Sequence, residues 1–342
     1  MEGNLYVSSS PHLRDNESVK KIMFSVVIAL VPALIGAVYF FGARALWVTV
    51  ACVISCVVTE WAIQKLRKVP VTVSDGSAIV TGVLLAYNLP SGCPYWLPVI
   101  GGIFAIGVGK QVFGGLGYNP MNPALLGRAF LLASWPVRMT SQWVAPKGST
   151  LSGLEAWTGA TPLNLFKEAR KIVLNKELYS EEKIQEAFRI LSDIPDSYGN
   201  LFFGRVGGCL GETSVLLLLI GAVYLLYKRY IGLGVPLSYI GIVALLSWIF
   251  SGTKGYFTGD PLFAVLSGGL ILGAFFMATD MVTTPVTVKG RIIFGVGCGV
   301  LTVFIRQLGG YPEGVSYSIL LMNLTTPIID KYVKPKKFGS RR

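Results

Sequence analysis

The chain has 342 residues, of which 52% are hydrophobic and only 14% are Asp, Glu, Lys or Arg, and its mean hydropathy is +0.59. Soluble domains carry about 25% charged residues, so a water-soluble globular fold is excluded and an all-α polytopic membrane protein is expected. The net charge of +12 then speaks to topology and to contact with anionic membrane lipid, not to nucleic acid.

Residues 1–19 are polar, hold the sole histidine, His12, and lack an apolar run ending in a small-residue cleavage site. Lys20 and Lys21 precede a first span at about Ile22–Phe41, and a second runs from about Ala45 to Gln64 before Lys65, Arg67 and Lys68. The apolar stretch from Asp75 to Pro90 is shorter than the roughly 20 residues a bilayer helix needs. So is Met121–Trp135, which is bounded by Pro120, Pro123 and Pro136, and a full span at about Tyr95–Phe113 lies between the two. Half helices at membrane depth require protein or a cavity to satisfy their freed backbone groups, and they commonly mark binding sites.

The second short stretch opens on Gly117-Tyr118-Asn119-Pro120-Met121-Asn122-Pro123, with Arg128 following. Polar side chains are expensive at such a place unless paired or used. One reading is helix capping by Asn119 or Asn122 with proline next. The other is a polar ligand held at the start of a half helix.

From about Trp135 to Gly211 the chain turns polar, and a loop longer than about 15 residues is more often functional or disordered than a mere connector. It contains Trp157-Thr158-Gly159-Ala160-Thr161-Pro162-Leu163. Gly159 and Ala160 leave room for another protein around Thr161, and Pro162 biases Thr161 toward an extended backbone that presents its hydroxyl outward. No base lies nearby in sequence, and an unassisted hydroxyl is a weak nucleophile. Modification by another enzyme therefore fits better than self-catalysis, with an ordinary polar turn as the alternative. The mixed charges of Glu168–Arg189 predict a small surface helix.

Spans resume at about Ser214–Tyr230, Val235–Phe250, Pro261–Ala278, Ile292–Ile305 and Val315–Ile329, and a basic tail, Lys331–Arg342, follows. The run from Asp75 to Pro90 has a counterpart from Asp260 to Pro285. About ten transmembrane helices thus form two five-helix repeats. Because five is odd, the second repeat is inverted, which puts a site near the midplane between them. With the N-terminus inside, Lys20/Lys21, Lys65/Arg67/Lys68, Lys228/Arg229, Lys289/Arg291 and the tail gather on one side, as the positive-inside rule requires. The expected organisation is a cytoplasmic segment 1–20, a first repeat 21–135, an extracytoplasmic loop 136–211, a second repeat 212–330 and a cytoplasmic tail 331–342.

Asp280 at a span end reads as a loop or capping acid, or as a cation or ligand contact. Glu60 and Lys110 are charges within or near spans and are functional candidates by default. Lys110, near the inner end of its span, is expected to snorkel to the interface. Cys52, Cys56, Cys93, Cys209 and Cys298 form no Cys-x-x-Cys and no metal-ligand spacing, so neither a metal site nor a catalytic residue is expected within this chain.

Several of these strings resemble one family. Thr158-Gly159-Ala160-Thr161 is similar to the [S/T]GAT flavinylation motif of the Rnf and Nqr respiratory complexes. The Ser10-Pro11-His12 start, Asn119-Pro120-Met121-Asn122-Pro123, Met277-Ala278-Thr279-Asp280 and Met322-Asn323-Leu324 resemble segments of the Rnf D and Nqr B proteins in the same order. Met281 stands where the family commonly has proline. The resemblance implies a flavoprotein of the bacterial or archaeal cytoplasmic (inner) membrane, active in electron transport. FMN would be joined by a phosphoester to Thr161 by a flavin transferase, within a site that includes Thr158, Gly159 and Ala160. It also implies a non-covalent riboflavin near Asn119 and Asn122, with Asp280 as a further contact. The partners implied are the other Rnf subunits A, B, C, E and G. The activity implied is ferredoxin:NAD⁺ oxidoreduction coupled to Na⁺ or H⁺ transport. A solute channel or transporter with inverted repeats is the alternative.

Overall fold

A computed structural model describes residues 17–144, 146, 161–212, 214–253, 255–310 and 313–335. His12, Thr158, Gly159 and Ala160 lie outside the described residues. Among those described, every element is helical apart from one isolated bridge between Pro90 and Cys209.

The first half contains α1 (Val19–Phe41), α2 (Ala43–Leu66), α3 (Ser77–Tyr87), α4 (Trp96–Ile106) and α5 (Pro123–Ser134). The polar segment follows as α6 (Pro136–Thr140), α7 (Pro162–Leu174), α8 (Glu181–Ser192) and α9 (Ile194–Phe203). The second half contains α10 (Val215–Tyr227), α11 (Gly234–Phe250), α12 (Pro261–Leu266), α13 (Leu270–Leu272), α14 (Val288–Leu308) and α15 (Val315–Tyr332). The helices α1, α2 and α14 are long and apolar enough to cross a membrane, and α3, α5, α10 and α11 are shorter apolar helices. The chain is an all-α polytopic membrane protein.

Helix starts follow the capping chemistry of short polar side chains. Ser18, Asn122, Asp260 and Thr287 each accept a hydrogen bond from a backbone amide of the turn they open. The neighbour pattern repeats between the halves: α2 packs on α3 and α4 and α4 on α5, while α11 packs on α12 and α14 and α14 on α15. The halves meet where α1 lies along α10 and where α5 meets α15. Polar side chains join helices inside the core. The Tyr239 hydroxyl on α11 lies 2.6 Å from Thr302 Oγ1 on α14 and 3.0 Å from Ser318 Oγ on α15.

Two predicted elements differ in detail. The span Pro261–Ala278 is not continuous: α12 stops at Ser267, Gly268 adopts φ +68°, and helix resumes at Leu270. The positive φ suits glycine, which has no Cβ to clash there. The freed carbonyls of Ala264 and Ser267 accept bonds of 2.7 and 3.2 Å from the buried guanidinium of Arg306 on α14. That is how the backbone demand of a break at membrane depth is met. The mixed-charge stretch Glu168–Arg189 falls not on one helix but across α7 and α8, separated by a turn at Lys176–Leu178.

The α1–α10 seam depends on two missing side chains: a Cβ at Gly221 would sit 1.9 Å from the carbonyl oxygen of Ala29, and one at Gly36 would sit 2.3 Å from Leu217 Cδ1. Gly221→Val is expected to push α1 from α10 and to cost about 1–3 kcal/mol, the usual scale of overpacking. A lowered thermal unfolding midpoint in detergent is the readout.

Candidate functional site

Residues 107–111 and 273–277 form π-helical turns, the first continuing α4 and the second continuing α13. Such turns are rare and occur frequently at functional sites. Both border one cleft of about 830 Å³ (open space included), lined by Lys110 from the first turn and by Phe275 and Phe276 from the second. Its other walls come from the starts of α1, α3 and α5 and the end of α10, so it lies at one end of the helix bundle.

Predicted residues from two distant parts of the sequence converge here: Asn119 and Asn122 line the cleft together with Asp280. Asn122 does two jobs. Its Oδ1 accepts from the amides of Ala124 (3.0 Å) and Leu125 (3.4 Å), capping α5, while Nδ2 points 3.5 Å from the Met277 carbonyl oxygen. Asn119 is not a cap. Its Nδ2 donates to the Met121 carbonyl at 3.0 Å, and its Oδ1 is buried with no partner in the protein. A buried acceptor without a donor is costly, so Asn119 Oδ1 carries an unmet hydrogen-bonding demand. Asp280 accepts from Val282 N at 3.4 Å and from the Thr283 hydroxyl at 3.2 Å. Burial pushes its carboxyl above the ordinary aspartate range, against the pull of those two donors.

Lys110 does not snorkel. It is 1% exposed, and its ammonium bonds Glu60 Oε1 and Ser77 Oγ, each at 2.6 Å. Glu60 Oε1 also accepts from Gln111 at 2.9 Å and Gln64 at 3.3 Å, while Glu60 Oε2 has no partner. The pattern of apolar residues hides this pair, because it is formed 50 positions apart in sequence.

Thr161 lies at a second place. It caps α7 with an extended backbone (φ −74°, ψ 154°), its Oγ1 accepts from Asn164 N at 3.3 Å, and the residue is 6% exposed. The side chain is thus turned inward, where the sequence predicted an outward hydroxyl. It lines a cleft of about 460 Å³ with Arg128, Met139, Trp143, Asn164 and Glu313, at the end of the bundle where α5 finishes and α15 begins. Arg128 forms the floor. Its Nη1 donates to Asn88 Oδ1 at 2.9 Å and Ser316 Oγ at 2.6 Å, and its Nη2 pairs with Glu313. The ligating atoms of Cys209, Glu212 and Glu313 lie within 4.8 Å of one another beside it. Arg128 already supplies the positive charge that such a cluster calls for. Sequence reasoning named Arg128 but neither carboxylate, although an arginine inside an apolar segment requires a counter-charge.

Fold and clefts therefore define a polytopic membrane protein with a cleft at a half-helix start at one end and a second cleft beside the polar loop at the other. The NQR2, RnfD, RnfE family matches residues 6–339, nearly the whole chain. Relatives agree over nearly their full lengths. One is 49% identical over 98% of this chain and 96% of its own; it is the D component of the proton-translocating ferredoxin:NAD(+) oxidoreductase complex of Clostridium ljungdahlii. Another is 48% identical over 99% and 96%, the D component of the Na(+)-translocating ferredoxin:NAD(+) oxidoreductase complex of Acetobacterium woodii. A third, the D component of the ion-translocating oxidoreductase complex of Ectopseudomonas mendocina, is 38% identical over 98% and 96%. The chain belongs to this family.

Burial, and then the neighbouring Glu313 carboxylate, push the Glu212 carboxyl from 4.5 up to about 8. Between those values the folded protein holds a proton that the unfolded chain has released, so stability falls as pH rises through that window. Glu212→Gln is expected to flatten this fall, and thermal midpoints across the window measure it.

Proposed function

We propose that this chain is the RnfD-type membrane component of an ion-translocating ferredoxin:NAD⁺ oxidoreductase complex. In this reading it relays electrons between FMN esterified to Thr161 and riboflavin held in the Asn119–Asn122–Asp280 cleft. The observation that carries the reading is the unpartnered Asn119 Oδ1 in a cleft walled by Phe275 and Phe276. An aromatic slot with one polar edge suits a flat ring that bears an N–H.

When bound, the flavins supply the electron chemistry, and the protein positions them and tunes their surroundings. In that cleft Asn119 Oδ1 would accept an N–H of the flavin, and Phe275 and Phe276 would help keep water out. At the other end, Thr161 supplies the ester oxygen. The first amides of α7 lie beside it, where a helix N-terminus favours phosphate, and Trp143 offers an aromatic wall. The two clefts share α5: Asn122 opens it in one and Arg128 floors the other, which is about 9 Å of helix rise for six residues.

Basic residues cluster at the start of α1 and the ends of α2 and α10, the same end as the Asn119 cleft. By the positive-inside rule that end is cytoplasmic, with both termini, and Thr161 is extracytoplasmic. The other Rnf subunits and a flavin transferase are the partners this reading requires, in the cytoplasmic membrane.

Coexpressed with a flavin transferase, the wild-type chain is expected to fluoresce on an unstained denaturing gel, and Thr161→Ala is expected to be dark. Fluorescence that persists in the denatured Thr161→Ala chain contradicts the assignment. Asn119→Leu should keep that covalent signal but lose the flavin released by mild denaturation, which chromatography of the extract quantifies.

A further inference from the structure

Lys110 is the cation on the cleft wall, and it is connected to the protein surface. Its Nζ donates to Ser77 Oγ at 2.6 Å, and Ser77 Oγ in turn donates to Asp75 Oδ1 at 2.5 Å, which also accepts from Ser77 N at 2.7 Å. Ser77 is buried, whereas Asp75, in the short turn ahead of α3, is half-exposed. The three groups therefore make an unbroken hydrogen-bonded line from water to the cavity. Behind Lys110, Glu60 holds the ammonium in place, and Gln111 and Gln64 fix Glu60. The π-turn at 107–111 sets Lys110 at the cavity wall and Gln111 against Glu60.

We propose that Asp75, Ser77 and Lys110 form a relay that delivers a proton from water to the ligand in the cleft each time that ligand accepts an electron. The inference rests on the reading of the cleft as a flavin site. A flavin held in the cleft would supply the electron-accepting group, and each electron it took from the covalent flavin of the complex would add one negative charge there. Lys110 would give one ammonium proton to that charge. Asp75, which accepts from Ser77 at rest, then takes a proton from water and hands it to Ser77 Oγ as the hydroxyl turns, and Ser77 passes its own proton to the amine left on Lys110. One electron and one solvent proton are consumed, and the protein returns to its starting state. The other titratable or charged groups around Lys110 are Glu60 and Cys56 on α2, Arg67 through the Gln111 carbonyl, and Asp280 and Tyr230 across the cleft. Among these, Glu60 is the one hydrogen-bonded to the lysine, so it positions Lys110 without itself standing on the line to water.

Flash photoreduction of the purified complex, followed by visible absorbance, separates electron arrival from protonation of the ring. In the charge-balanced Lys110→Met/Glu60→Gln variant, protonation is expected to slow by about a hundredfold or more, the scale of a lost general acid. Methylamine added to the buffer should restore part of the rate, an effect no structural defect would show. Ser77→Ala should slow protonation by a smaller factor and enlarge its solvent deuterium effect. An unchanged protonation rate in the double variant with flavin retained overturns the relay. If that variant loses flavin, an unchanged rate in Ser77→Ala overturns it instead. A wild-type complex with covalent flavin but none released by mild denaturation overturns the flavin reading of the cleft, a separate failure.

Discussion

A guanidinium inside an apolar helix bundle has to be compensated, and in this protein the compensation of Arg128 ties the two halves together. Its partners are Asn88 at the end of α3, Ser316 on α15, and Glu313 just ahead of α15. Removing one member of such a pair leaves a buried charge and costs about 3–5 kcal/mol. The bridge between Pro90 and Cys209, with the bonds from Leu210 N to Leu89 O (3.1 Å) and Gly211 N to Tyr87 O (3.0 Å), binds the same region to the start of the second half. Both clefts inherit their geometry from this junction, because α5 carries Arg128 and begins at Asn122.

Both ends keep buried polar atoms without partners. Around Thr161, Arg128 pairs with Glu313 and burial raises the Glu212 carboxyl, yet Arg128 Nε and Glu212 Oε1 have no partner. Around Asn119, Asn119 Oδ1 and Glu60 Oε2 are buried in the same condition. Most buried polar groups in folded proteins are hydrogen-bonded, so each of these atoms marks a place where packing alone leaves a demand unmet.

Much of this was legible in the sequence, and for physical reasons. Proline after Asn122 and the short apolar run behind it fix a half helix whatever the packing, so the position of the Asn119–Asn122 site follows from local chemistry. The apolar helices follow from hydropathy alone. Lys110 was misread because its partner is 50 residues away and because a π-turn, which rotates the side chain inward, leaves no trace in apolar periodicity. Glu313 was missed for the same reason, being 185 residues from Arg128. The break in the Pro261–Ala278 span was smoothed over by its apolar composition, although Gly268-Gly269 was a sign of it. Pro162 marked Thr161 as extended, and so it is, but burial of its side chain depends on packing against residues of both halves.

The broken third span of the second half has a consequence for biogenesis. Its first piece, α12, is only six residues long, about 9 Å of helix, and cannot enter a bilayer by itself. The carbonyls it leaves exposed are quenched by Arg306, which is synthesised later, on α14. Insertion of this segment must therefore wait for a downstream helix to leave the ribosome, so the second half is laid into the membrane as a cooperative group and not helix by helix.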